Sequence, residues 1–379
     1  MKEVLNKYNN ELDIESFIHS LDDATECYKF YWASAILEIY SWGKREITFD
    51  EIVNKMIVDA WYSVAEYHLH LGPLNTLKKT MNSIERCIEK LLKITDLSAS
   101  SSETEILYAI REKDVFIHSE KMQLIKNVPY RILSPYFPEI DGNNVLWNNK
   151  TRLIAYMQEI NKINSLPYTI ENGRGLEAKV YINKYWDEFF KDNFVPLISW
   201  IELKKIKYLQ SRNPGVPGII YKLAPQNQNI RKLKYVHKLW DLIMNLTDVK
   251  DIYTGEILNK EYDIDHFIPW SYIANDELWN LLPMKSSLNS TKQNKLPKWE
   301  KYFKLFASNQ YTMFKYVNKY EFIKENFMKC QRDNMVSPFS LKELYVCENS
   351  KEQFFNILES ELKPIYTSAK MQGYEIWNY

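Results

Sequence analysis

DIDHFIPWSYIANDELWNLLPMKSSLNSTKQNKLP, residues 263–297, decides how this chain is read. It sets Asp265 directly against His266 in a protein with six histidines. Asn280 and Asn289 follow at wider spacing, then Lys292 and Lys295. An isolated Asp-His pair is most often a buried hydrogen-bonded couple, so the surroundings must decide. Two β-compatible runs, IYTGEIL (252–258, with Thr254-Gly255 as its turn signal) and EYDIDHFI (261–268), precede a polar loop. The apolar cluster Trp279, Leu281 and Leu282 comes next. A helix is predicted from Ser286 or Ser287 to a point before Pro297. Strand, strand, loop and helix thus make one compact unit.

These residue types suit hydrolysis of a phosphodiester. A water must lose a proton as it attacks, the phosphate oxygens need a cation, and the leaving 3′ oxygen must be stabilised. A histidine with an ordinary pKa of about 6.5 is mostly neutral, and so basic, at pH 7. A divalent cation serves the other needs as a Lewis acid. Mg²⁺ prefers oxygen ligands and keeps several waters, so one carboxylate and one amide oxygen suffice. Asp265 and Asn289 are that minimal pair. Neighbours on a regular strand point to opposite faces. Asp265 and His266 therefore reach one phosphate only if the strand bends there or the phosphate straddles its end.

With these residues in place, 250–297 resembles the ββα-metal (HNH) nuclease motif, in the His-Asn-Asn variant also found in the HNH domain of RNA-guided CRISPR effector nucleases. The resemblance implies that His266 is the general base and that Asp265 and Asn289 ligate one Mg²⁺ or Mn²⁺. It makes Asn280 the middle asparagine, which pins the loop through backbone hydrogen bonds, and puts Lys292 against the nucleic-acid backbone. Lys285 and Lys295 join it as candidate contacts. The wider chain is similar to bacterial HNH endonuclease domain proteins, through YKFYW (28–32), MIVDAWY (56–62), YLQSRNPGVPGI (208–219) and WSYIANDELWNLLPM (270–284). Cleavage of double-stranded DNA to a 5′ phosphate and a 3′ hydroxyl is the implied reaction, and defence against foreign DNA the implied biology. Rival readings are a non-cleaving module that holds DNA or a partner protein, and a nuclease for RNA or structured nucleic acid. The chain departs from many HNH proteins in lacking the cysteine pairs of a structural zinc, and hydrophobic packing must replace them. Asparagine rather than histidine at the last ligand position favours Mg²⁺ or Mn²⁺ over Zn²⁺.

Outward from this segment the chain reads as mainly α. Its 379 residues predict two or three packed units, and nine glycines argue against a protein of many tight turns. We expect a helical recognition or regulatory region over 1–215, with a subdomain edge near 128–145. A basic linker helix at 216–245, the nuclease module at 246–300 and a helical region at 301–379 follow. Ile84, Cys87, Ile88, Leu91 and Leu92 form a helical apolar stripe, and Ser102 with Glu105 has capping-box spacing. Trp32, Trp61, Trp270 and Trp279 read as core. The four cysteines form no close pair, so buried thiols are expected. The polar start MKEVLNKYNNELD and the lack of a spanning apolar stretch make the cytoplasm the expected location, with no membrane partner. A protein partner or activator is expected at the N-terminal region.

Net charge is zero, from 49 basic and 49 acidic residues, but its distribution is uneven. Residues 201–240 hold nine Lys/Arg against Glu202, and 281–304 hold six lysines against Glu300. Such runs would steer a phosphate backbone toward the motif between them. Within them Arg231, Lys232, Lys234 and Lys238 are either DNA contacts or plain surface.

Overall fold

The computed structural model describes residues 12–379 apart from 23, 74–80, 162–165, 172–174, 224–231 and 260. Arg231 of the basic set therefore lies outside the described residues. The chain is 64% helical and divides into two compact units, Met1–Pro214 and Gly215–Tyr379. Among the described residues no helix is long and apolar enough to cross a membrane.

The first unit is built on apolar helices that neighbouring helices cover. Helix α1 (Tyr28–Ser41) buries residues on nearly every face, including Tyr31, Trp32, Ile36 and Leu37. Helix α2 (Phe49–Ala65) starts at a complete capping box between Thr48 and Glu51, and buries Trp61. Helix α3 (Ser83–Ile94) turns the stripe Ile84, Cys87, Ile88 and Leu91 inward, while Leu92 is only half-buried. The Ser102–Glu105 capping box opens α4 (Glu103–Glu112), and α5 (Asp114–Ile125) packs on α3. Helix α6 (Phe194–Arg212) lies against α1. A small antiparallel sheet that the sequence did not announce joins β1 (Glu46–Thr48), β3 (Lys179–Ile182) and β2 (Tyr168–Ile170) in that order. Its strands are too short for a two-residue periodicity to register.

The second unit encloses a hairpin between helices. Helix α7 (Lys234–Met244) precedes β4 (Tyr262–His266) and β5 (Leu281–Lys285), and α8 (Ser286–Lys292) follows directly. Then come α9 (Trp299–Lys319), α10 (Glu321–Asn334) and α11 (Lys351–Met371). A two-stranded hairpin alone is marginal in water. Here Ile264, Leu278 and Leu281 share one core with Val236, Leu239, Trp240 and Ile243 of α7, Met313 and Val317 of α9, and Ile323 of α10. Each such side chain contributes about 1.5–3 kcal/mol on burial, which outweighs what one pair of short strands lacks. Helices α7, α9 and α10 thus supply walls of the module's core.

The hairpin of the second unit skips the first β-compatible run. β4 pairs with β5, in the register Tyr262↔Lys285 through His266↔Leu281, and not with 252–258. That earlier run makes a turn closed by a single bridge, Lys250↔Ile257. Buried Asp251 is the cause. Its Oδ1 accepts from the backbone N–H of Tyr253 and Thr254, curling the chain, and its Oδ2 accepts from Lys285 N–H. Pro283 is tolerated in β5 because the strand has β4 as its only strand neighbour. Cys27, Cys87 and Cys330 are buried free thiols, whereas Cys347 is exposed.

Candidate active site

Asn280 closes the loop between the two strands. It is fully buried, and its carboxamide accepts from Ile268 N–H and donates to Ile268 C=O, both at 2.8 Å. Its own carbonyl accepts from Phe267 N–H at 2.8 Å. One residue thereby satisfies the backbone just past the end of β4 and sets where β5 begins.

Side-chain alternation puts Asp263 and Asp265 on one face of β4, and helical spacing puts Asn289 and Lys292 on one face of α8. The two faces meet. Asn289 Nδ2 donates to Asp263 Oδ2 at 3.2 Å, and Lys292 Nζ lies 2.8 Å from Asp265 Oδ2. Lys292 also donates to the carbonyl oxygen of His266 at 2.6 Å. Tyr253 is buried nearby, and burial, reinforced by the charges of Asp265 and Asp251, holds its phenol far above the usual range and so neutral.

His266 closes β4. Pairing runs through Asp265↔Leu282 and His266↔Leu281 without a bulge, so no bend separates the two residues. Of the two routes to a shared phosphate, only the strand end remains, because β4 stops at His266. The His266 side chain is 5% exposed, and its Nε2 lies 2.9 Å from Asp276 Oδ1. This ring is shielded and has one nitrogen engaged.

Among the described residues no three His, Cys, Asp or Glu side chains gather as a metal cluster. What the module offers is the oxygen set of a hard cation. Asp265 is nearly buried, and its Oδ2 accepts no hydrogen bond of normal geometry, leaving only the Lys292 ammonium as partner. Asn289 turns its nitrogen toward Asp263, which directs its amide oxygen away from that carboxylate. One carboxylate with spare acceptor capacity and one amide oxygen fit a Mg²⁺-class ion that keeps several waters.

The expected nucleic-acid contacts separate. Lys292 is fully buried, so it meets Asp265 and not a phosphate. Lys285 pairs with Glu256, and Lys295 lies 4.0 Å from Glu375. On α7, Lys234 and Lys238 are exposed, and exposed Lys232 lies 3.3 Å from Asp333. Several described cations of the 201–240 run are already engaged or buried. Lys205 and Lys222 are buried, and Lys204 pairs with Asp22 at 2.5 Å. His237, half-buried, packs beside the Tyr262 ring.

Three participants carry no mark in the sequence. Asp276 holds His266. Glu277 is buried and accepts from Val336 N–H, Ser337 N–H and Ser340 Oγ–H. Asn334, also buried, donates to the Asp276 carbonyl at 2.9 Å. The stretch Asn275-Asp276-Glu277 reads as ordinary loop chemistry, and its partners lie some sixty residues downstream, so local spacing carries no signal for it.

Residues 249–298 match the family model described as HNH endonuclease. No curated protein and no solved structure matches the chain.

Proposed function

Because residues 249–298 form an HNH endonuclease domain, we propose that the protein hydrolyses phosphodiester bonds of double-stranded DNA at the junction of β4 and α8. The supporting observation is the meeting of Asp263 and Asp265 with Asn289 and Lys292, with His266 next in the chain at the strand end. Asp265 and Asn289 would hold one Mg²⁺ or Mn²⁺ ion, which supplies Lewis acidity to the scissile phosphate. His266 takes the proton of the attacking water as the new O–P bond forms. The P–O3′ bond breaks and the departing 3′ oxygen takes a proton from solvent water, leaving a 5′ phosphate and a 3′ hydroxyl. Asn280 touches no reacting atom in this scheme; it holds the strand end. Exposed Lys232, Lys234 and Lys238, together with Lys285 and Lys295, are the proposed backbone contacts. The cytoplasm is the proposed location, and the family resemblance supports a sensing role for the first unit and a part in defence against foreign DNA.

A second reading has one observation in its favour. A shielded His266 with Nε2 engaged and an Asp265 neutralised by Lys292 also describe a module that holds nucleic acid without cutting it. Supercoiled plasmid separates the two. The nuclease reading expects nicking with Mg²⁺ or Mn²⁺, its loss on chelation, and a fall of about 10²–10⁴-fold in His266→Ala with DNA affinity retained. Binding without nicking under either ion favours the second reading. Cutting of RNA in preference to DNA would move the substrate and keep the mechanism.

A further inference from the structure

The buried contact between His266 and Asp276 is the strongest feature of the module that the proposed chemistry has not used. At 2.9 Å from Asp276 Oδ1, the Nε2 of His266 is placed to donate, because an ionised carboxylate only accepts hydrogen bonds. In the neutral ring Nδ1 then holds the lone pair. We propose that Asp276 is a positioning residue of this site: its carboxylate orients the His266 imidazole and fixes the tautomer in which Nδ1 accepts the proton of the attacking water. The proposal rests on the reading of the module as a nuclease.

Its setting separates this contact from the other carboxylate–imidazole contacts of the chain. His19–Asp22 and His118–Asp114 are exposed and span one helical turn, as expected of surface pairs. His70–Glu85, at 3.5 Å, is longer. His266–Asp276 is buried and bridges the strand end to a loop ten residues on. That loop is fastened on both sides of Asp276. Ala274, before it, adopts the left-handed conformation with φ 58°, and its N–H donates to Trp270 C=O at 2.7 Å. The Asp276 carbonyl is held by buried Asn334, and Glu277, after it, is held by Val336, Ser337 and Ser340. A carboxylate anchored in this way orients a ring without having to be ordered first. A group of either kind, donor or acceptor, satisfies a buried imidazole; setting the tautomer demands one that cannot donate, as an ionised carboxylate cannot.

Asp276→Asn tests this distinction, because the carboxamide is nearly isosteric and its nitrogen can donate to Nε2, driving the proton onto Nδ1. The same substitution in the serine-protease triad, where an aspartate fixes a histidine tautomer, is costly for this reason. Two readouts are needed: cleavage of plasmid at saturating DNA, and ring ¹⁵N NMR of the metal-free protein, with the His266 signal assigned by its loss in His266→Ala. The expected results are an Nε2-protonated ring in the wild type and a shift toward Nδ1–H in Asp276→Asn. Cleavage should fall by about 100-fold or more in that variant, with DNA affinity and melting temperature unchanged. Asp276→Glu, which keeps an acceptor-only group, should retain the wild-type tautomer and recover part of the activity. A wild type that cleaves while Asp276→Asn keeps its rate, or a wild-type ring protonated on Nδ1, overturns the proposal and leaves the nuclease reading intact. A wild type that never cleaves, with its ring still Nε2-protonated, overturns the nuclease reading and the catalytic part of the proposal with it.

Discussion

Lys292 Nζ lies 2.8 Å from Asp265 Oδ2, an ion pair in which the lysine side chain is fully buried. This ammonium is the cation that the carboxylate faces in the folded chain. Removing one partner of a buried pair strands the other, at a cost of about 3–5 kcal/mol. Lys292→Met is therefore expected to unfold at lower denaturant concentration than the wild type. Mg²⁺ should recover more stability in the variant than it adds to the wild type, because it replaces the missing charge. Equal responses of the two proteins would place the ion away from Asp265.

Metal binding should also be visible without any substrate. A ligand that binds only the folded state stabilises it by about 2.7 kcal/mol at a hundredfold excess over its Kd. Differential scanning fluorimetry of the wild type is expected to show a melting temperature that rises with Mg²⁺. In Asn289→Ala the dependence should move to higher Mg²⁺ concentration. An unchanged titration would remove Asn289 from the ligand set.

Asn280 has a structural role that predicts a stability effect larger than that of most surface changes. Asn280→Ala takes away the carboxamide that satisfies both the N–H and the C=O of Ile268. Each buried group left unsatisfied costs about 1–3 kcal/mol. Asn280→Asp keeps the acceptor and loses the donor, so its loss in denaturant unfolding should be the smaller in backbone pairing, offset by the cost of burying a charge. Wild-type stability of Asn280→Ala would contradict the pinning role.

The exposed lysines on and just before α7 are a testable electrostatic footprint. Reversing Lys232, Lys234 and Lys238 to glutamate should weaken DNA binding about equally for all sequences. The slope of log K against log salt should shrink by roughly one for each phosphate that the variant no longer neutralises. Unchanged affinity and slope would direct the DNA to another face.

Lys222 sets a pH dependence of stability. Its ammonium is buried beside the carbonyl of Tyr272, and burial pushes its pKa down to about 7 from 10.5. Between these values the unfolded chain holds a proton that the folded chain does not, so this residue makes stability rise with pH across that window. Below about pH 7 both states are protonated and the contribution is constant. Relative to Lys222→Met, the wild type should therefore gain stability between about pH 7 and pH 9 in urea unfolding. A gap that widens against the wild type as pH rises would reverse the sign and refute the assignment.

The helices and the module were legible because their signals are local. The stripe Ile84-Cys87-Ile88-Leu91, the Ser102–Glu105 box and the run from Ser286 each contain their own explanation within a few residues. The run 252–258 reads as a strand by composition, yet Asp251 curls it by accepting from the N–H of Tyr253 and Thr254 and ties it to the N–H of Lys285. Lys292 looked like a surface cation because side-chain type does not reveal burial; only the meeting of α8 with β4 turns it inward. The carboxylate on His266 was invisible for a related reason. Asp276 resembles any loop aspartate until Asn334 holds its carbonyl and Ser337 and Ser340 hold the neighbouring Glu277.

The fastening of Glu277 to Val336, Ser337 and Ser340 makes this motif a poor cassette. Cut out at 246–300, it would carry a carboxylate with its three donors left behind, and would part from Gln310, whose Nε2 caps the Leu281 carbonyl at 2.6 Å. Grafting the scissors onto another scaffold therefore requires transplanting the downstream helices that moor them.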